Sequence, residues 1–309
     1  MIEGLIHAIT SHGDRGAVVP FFRIDDLKKD MLEVKNAGYH TDWLDRMVNH
    51  MTGDTTKFIP SDFQPRSLIS VIMPGSKVIL QFHYRGRPVQ CVVPPNYTNW
   101  EIKNTQALQY LGDYVASHGF SVTIARTLTH KLLAVHCGLA LYGRNNICYN
   151  DEFGSYMQIM TYVSDLPCDE APWFPLRRME ECETCHACVT SCPTGAIDSD
   201  RRYIDADRCI TSMNEVPGEF PEWISKDVHN SIAGCIKCQD CCPGNAQNKD
   251  NIKMGVTFTE AETAELINHK GDAPYSGSLG AKLEATGIVP EFVDNFPRNL
   301  SALLQKEVS

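Results

Sequence analysis

The sequence lacks the run of roughly 18 apolar residues that a membrane helix requires, so no membrane partner is expected. Its opening residues, Met1-Ile2-Glu3-Gly4-Leu5-Ile6-His7, hold no cationic segment ahead of a long apolar one, and no twin-arginine pair. Those are the marks of an export signal, so the expected location is cytoplasmic. Low-complexity tracts are absent. The charge balance is acidic: the chain has 28 Lys and Arg against 38 Asp and Glu, for a net charge of −10. Such a surface suits a phosphate backbone poorly, and nucleic acid is disfavoured as a partner. What is present is an ordinary globular balance, 43% hydrophobic and 21% charged over 309 residues. That is enough for one substantial core and an appended module.

The chain is rich in cysteine. Of its 13 cysteines, Cys91, Cys137, Cys148 and Cys168 are scattered, whereas nine crowd between Cys182 and Cys242. In a reducing cytosol, dense cysteine points to metal rather than to disulfides. Cys182-x2-Cys185-x2-Cys188-x3-Cys192-Pro193 has the bacterial ferredoxin spacing. In that motif three close thiolates grip one cubane and the fourth reaches a second. The remaining ligands are less regular: Cys209, then Cys235-x2-Cys238-x3-Cys242-Pro243. By the crossed logic, Cys182, Cys185, Cys188 and Cys242 would hold one [4Fe–4S] cluster. Cys192, Cys209, Cys235 and Cys238 would hold the other. Cys241 is a spare beside a ligand or a substitute for Cys242; Pro243 favours Cys242. Two four-cysteine zinc sites are the alternative, but zinc does not call for a four-cysteine run ending in Pro.

Apolar periodicity places a helix over 26–51, starting at Asp25 or Asp26, and another from Trp100 to His118. Strands are expected over Leu68–Met73, Lys77–Phe82, Phe120–Ile124, Ile147–Tyr149 and Tyr156–Val163, with a further helix over 129–137. Ser276 to Gly280 reads as a loop before a short helix at Ala281–Ala285. The expected fold class is α+β, a mixed α/β core with a ferredoxin-like two-cluster module. The core would span 1–170, the module 171–250, and the tail 251–309 would pack on the core.

One stretch carries a resemblance. Lys131-Leu132-Leu133-Ala134-Val135-His136-Cys137-Gly138-Leu139-Ala140-Leu141-Tyr142-Gly143-Arg144-Asn145, followed by Phe153-Gly154-Ser155, resembles the segment that precedes the clusters in epoxyqueuosine reductases and, more distantly, reductive dehalogenases. Asp205 to Ile210 and Gly234 to Asp240 look like the second-cluster segments of that family, and the match covers about 120–248. The resemblance implies a nitroreductase-like core, a cobalamin fed by the clusters, and a corrinoid pocket lined by Gly138, Gly143, Arg144, Asn145, Gly154 and Ser155. On spacing alone, Gly138 is as well explained as a helix C-cap and Gly143 as a turn. The family places an acidic general acid just before this segment. Ile124 occupies that position here and donates no proton.

The expected function is therefore an iron–sulfur, cobalamin-dependent reductase of unassigned substrate, receiving electrons from a reduced ferredoxin or flavodoxin. The alternative is an electron-transfer protein that reductively activates the corrinoid of a partner protein. Arg126, His130, His136 and Tyr142 are candidate proton donors, none assigned as catalytic; His83-Tyr84-Arg85 reads equally well as a strand end.

Overall fold

The structure, a computed structural model, describes residues 1–36, 45, 48–49, 62–126, 128–200, 203–271, 274–275, 277–288 and 290–306. Its strands are β1 (Arg15–Pro20), β2 (Ser67–Pro74), β3 (Lys77–Tyr84), β4 (Arg87–Val93), β5 (Val122–Ile124), β6 (Leu141–Tyr142), β7 (Cys148–Tyr149), β8 (Met157–Ser164) and β9 (Ile252–Phe258). The helices used below are α1 (Ile2–Ser11), α2 (Ile24–Asn36), α3 (Trp100–Ala116), α4 (His130–His136), α5 (Ala187–Ser191), α6 (Ile210–Glu215), α7 (Lys237–Asp240), α8 (Glu260–Asn268), α9 (Gly277–Ala285), α10 (Pro290–Val293) and α11 (Phe296–Lys306). Of the helix expected over 26–51, most of residues 37–51 lie outside the described residues. Among the described residues no helix is long and apolar enough to cross a membrane.

Two compact units divide the chain: Met1–Pro74 with Lys103–Cys185, and Gly75–Ile102 with His186–Ser309. The first is built on an antiparallel sheet of order β1-β2-β8-β5. Strands alternate their side chains between faces, and helices cover both. On one face Leu68 and Val163 join Leu27 and Met31 of α2 and Leu132 and Leu133 of α4 in a shared core. On the other, the Tyr162 hydroxyl reaches Asn104 of α3, and Gly16 of β1 lies against Ile9 of α1. Covering on both faces explains why β2 and β8 are buried almost without interruption.

The second unit has a smaller sheet, β4-β3-β9, in which β3 pairs antiparallel with β4 and parallel with β9. Val78, Leu80 and Phe82 meet Phe258, Leu266, Leu279, Leu300 and Leu304 in its core, and the rings of Phe82 and Phe258 stack at 4.8 Å. The contacts thus divide the chain differently from consecutive segments 1–170, 171–250 and 251–309. Residues 75–102 leave the core to join the cysteine-rich part. The tail, expected on the core, supplies β9, α8, α9 and α11 to the second unit, because β3 needs a partner for its free edge. The mixed α/β composition agrees with expectation.

Candidate metal centre

In the first unit, Cys182 sits in the 3-10 turn Glu180–Glu183. The segment after α4 holds that turn. The Tyr142 N–H donates to the Arg177 carbonyl at 3.0 Å, and the Met179 N–H donates to the Tyr142 carbonyl at 2.9 Å. The Arg144 main-chain N–H then points at the Cys182 sulfur at 3.4 Å, and its guanidinium donates to the Cys182 carbonyl. Cys185 follows in the same unit.

The second unit holds the other six. Cys188 lies on α5 and Cys192 ends it; Pro193 has no N–H with which to continue the helix. Helix α5 packs against α7, which carries Cys238. Cys209 stands at the N-terminus of α6, and Cys242 precedes the 3-10 turn opened by Pro243. The thiols of Cys192, Cys209 and Cys235 are close enough to feel one another. Burial pushes Cys235 up to about 11, and the neighbouring Cys209 and Cys192 add to the rise. Cys209 is raised by burial and by Cys192.

Hydrogen-bond donors oppose this. The Lys237 N–H and the Asn230 amide donate to Cys235, and the Thr211 N–H and hydroxyl and the Ser212 N–H donate to Cys209. Three thiolates so close would repel, yet their surroundings are arranged for sulfur acceptors. A cationic iron core bound to deprotonated cysteines resolves that conflict, so these residues fit a cluster. Among the described residues, no three thiol, imidazole or carboxylate groups close around a single ion. A cubane makes no such demand, since each thiolate binds its own iron.

The loop that carries Cys235 is pinned by residues invisible to motif reading. Buried Asn214 donates its amide to the Gly234 carbonyl at 2.8 Å, and buried Asn299 of α11 donates to the carbonyls of Asn214 and Ile232 at 3.0 and 2.9 Å. Gly234 has φ +65°, and a Cβ there would lie 2.4 Å from the Tyr97 ring. The Tyr97 hydroxyl donates to Glu215 of α6. Cys241, the spare, donates its S–H to the Cys238 carbonyl at 3.6 Å.

The six residues expected around a corrinoid all lie in the first unit, where Arg144, Asn145 and Ser155 are buried. Gly138, at φ +74°, has its missing side chain's place taken by the Phe174 ring, 2.7 Å from where a Cβ would stand. At Gly143 the space is filled by Asn145 and Tyr149, both at 2.6 Å. The Asn145 amide donates to the Tyr149 hydroxyl at 2.8 Å, and Gly154 pairs with Asn150 in an isolated bridge. These two glycines admit the chain's own side chains and leave no open cradle.

The candidate proton donors are likewise engaged. Burial lowers His130 to about 4, so it is neutral near pH 7, and its Nδ1 lies 3.0 Å from the Thr161 hydroxyl. Buried His136 places Nδ1 2.6 Å from the Phe174 carbonyl and Nε2 2.6 Å from an Asp30 carboxylate oxygen. Both neighbours only accept, so both ring nitrogens carry protons. Burial alone would lower this imidazole, but Asp30 and the carbonyl prevail and raise it. Ile124 sits in β5, paired with Tyr162. Burial lifts Cys91, Cys137 and Cys148 to about 12 and raises Cys168, so the scattered cysteines are neutral core thiols.

A family described as a 4Fe-4S double cluster binding domain matches residues 181–245. In sequence the chain is similar to the epoxyqueuosine reductase of Francisella cf. novicida (strain Fx1), 28% identical over 229 residues, 67% of this chain and 60% of that one. The aligned part thus spans well under the whole length of that relative. In structure it is similar to the epoxyqueuosine reductase of Bacillus subtilis with its catalytic loop swung out of the active site (TM-score 0.69, 16% identity, 98% of this chain and 81% of the other). It is also similar to an epoxyqueuosine reductase solved with an epoxyqueuosine-modified tRNA stem loop (TM-score 0.67, 18% identity, 98% and 80%). The resemblance read from Lys131 to Asp240 is borne out, and the chain has the fold of those enzymes and a 4Fe–4S binding region.

Proposed function

We propose that this chain is a reductase that carries two [4Fe–4S] clusters, one on Cys182, Cys185, Cys188 and Cys242 and one on Cys192, Cys209, Cys235 and Cys238. The observation that carries the reading is the meeting of Cys192, Cys209 and Cys235, with N–H donors converging on the last two. Each cluster accepts one electron at a time from a reduced ferredoxin or flavodoxin and delivers it to the substrate site. The cysteines hold iron, and the amide donors stabilise the negative charge on sulfur.

Cobalamin belongs to the proposal through the resemblance over Gly138 to Ser155. When bound it would supply a strongly reducing cobalt centre. Because Gly138 and Gly143 are filled by Phe174 and by Asn145 with Tyr149, these positions do not fit an open corrinoid cradle. The net charge of −10 set nucleic acid aside, but a related fold that holds a modified tRNA stem loop brings RNA back as a substrate to assay.

Anaerobic purification followed by iron, sulfide, cobalt and zinc analysis tests the reading. About eight irons and eight sulfides per chain are expected; a colourless chain holding zinc alone overturns it. Retained cobalt with a base-off spectrum supports the corrinoid, and its absence after reconstitution with hydroxocobalamin removes it. Turnover assays with the reduced protein then take an epoxyqueuosine tRNA stem loop and small organic oxidants in parallel. Substrate reduction by the isolated chain separates a reductase from a protein that only reactivates a partner's corrinoid.

A further inference from the structure

We infer that the side chain of Asn230 sets the reduction potential of the cluster bound through Cys235, by donating an N–H hydrogen bond to that ligand's sulfur. The inference rests on the iron–sulfur reading above and adds a specific positioning residue to it.

The geometry leaves the amide no alternative orientation. Its Oδ1 accepts the Ile236 N–H at 3.1 Å. An amide nitrogen in that place would set donor against donor, so the oxygen must face Ile236. The two N–H groups of Nδ2 then have one acceptor each: the Val228 carbonyl at 2.9 Å and the Cys235 sulfur at 3.2 Å. Four residues separate Asn230 from Cys235, and the loop they form is clamped by Asn214 and Asn299. The donor is therefore held on the sulfur rather than swinging past it.

An N–H directed at a ligand sulfur withdraws electron density from the cluster. It favours the reduced state, which carries one more negative charge, and raises the potential. The donor types differ between ligands. Cys182 receives a main-chain N–H from Arg144, which no side-chain replacement removes. Cys235 receives a side-chain amide, so its cluster carries a donor that a single substitution deletes.

Asn230 also ties Val228 to Ile236. If that were its whole role, its loss would lower cluster content and thermal stability but leave the potential unchanged. The test compares wild type with Asn230→Asp and Asn230→Leu, all reconstituted anaerobically, by iron and sulfide analysis and an EPR-monitored titration with dithionite and mediators. Each cluster takes one electron from dithionite, passing from the 2+ to the 1+ state. Asp keeps the oxygen facing Ile236 and replaces the donor; Leu removes the donor without adding charge. In both variants one cluster should show a reduced-to-oxidised ratio about tenfold lower at fixed ambient potential, about 59 mV for a one-electron couple. The other cluster should titrate as in wild type.

Full iron content with both potentials unchanged overturns the inference and leaves the cluster assignment standing. Wild type that assembles no iron overturns the reading beneath it. A shift with Asp but none with Leu assigns the effect to added charge and overturns the inference as well. Should neither variant assemble the second cluster, wild-type protein labelled with 15N-asparagine decides by ENDOR: a nitrogen coupled to one cluster supports the contact, and no coupling overturns it.

Discussion

Both units bury polar groups to pin their loops, but with different chemistry. In the first, His136 sits between the Asp30 carboxylate and the Phe174 carbonyl, its ring 4.3 Å from that of Trp173, and buried Asp14 accepts from the Tyr110 hydroxyl at 2.8 Å. In the second, the loop before Cys235 is held by the amides of Asn214, Asn230 and Asn299, and the buried Asn245 amide donates to the Gln239 carbonyl at 2.8 Å between the last cysteines. Among the described residues the acidic exceptions are the Tyr97–Glu215 contact and the ion pairs Lys77–Asp240, at 3.1 Å, and Lys282–Glu262, at 2.6 Å. Cluster-bound thiolates already concentrate negative charge, and a buried ion beside them would interact strongly at low dielectric. Neutral amides order the backbone and offer N–H donors while adding no net charge.

The sharpest way to break this comparison is to remove a ligand. Cys235→Ala should lose about half the bound iron, read by iron analysis and EPR, whereas Cys168→Ala should lose none, since Cys168 is a neutral thiol of the first unit. Next come two glycines of similar backbone, Gly234 at φ +65° and Gly195 at φ +63°. An added methyl at Gly234 strikes the Tyr97 ring, whereas at Gly195 the nearest atom is an Arg208 nitrogen at 4.0 Å. Gly234→Ala should cost roughly 2–6 kcal/mol, combining backbone strain and overpacking. Gly195→Ala should cost only the strain, roughly 1–3 kcal/mol. Denaturant midpoints with cluster content compare the two.

Asn299→Ala removes the donor from two carbonyls and should cost about 2 kcal/mol or more. Because the group lost is uncharged, the shift should be the same at pH 6 and pH 9. The smallest effect is the pH dependence of the first unit. His136 is raised above 6.5 in the folded state, so its contribution is complete below about pH 6.5 and is lost as pH rises through the folded value. Melting temperatures of wild type should fall over that interval more than those of His136→Gln.

Much of this was readable from the chain. The cysteine spacing announced the metal, β2, β3, β8 and α3 follow apolar runs, and β2 and α3 are closed by Pro74-Gly75 and Gly119. What escaped reading was set by distant partners. β9 is mostly exposed, contains Gly255, and has only Phe258 buried; it is a strand because β3, far upstream, offers an edge. β4 carries Pro88 and Gln90 and shows no clean alternation. Helix α2 begins at Ile24, which puts Asp25 and Asp26 in its first turn, and α9 starts at Gly277, inside the expected loop. The asparagine clamps escaped for the same reason: Asn214 and Asn299 lie 85 positions apart, and a single asparagine announces nothing by itself.

The parallel pairing of β3 with β9 has a consequence for how the protein matures. The segment bearing the nine clustered cysteines lies in the chain between β3 and β9, strands that must meet before the hydrophobic interior around Phe82 and Phe258 can close. During synthesis, the metal-binding loops leave the ribosome ahead of the strand and helices that will support them. Residues 171–250 excised as a cassette would leave those supports behind.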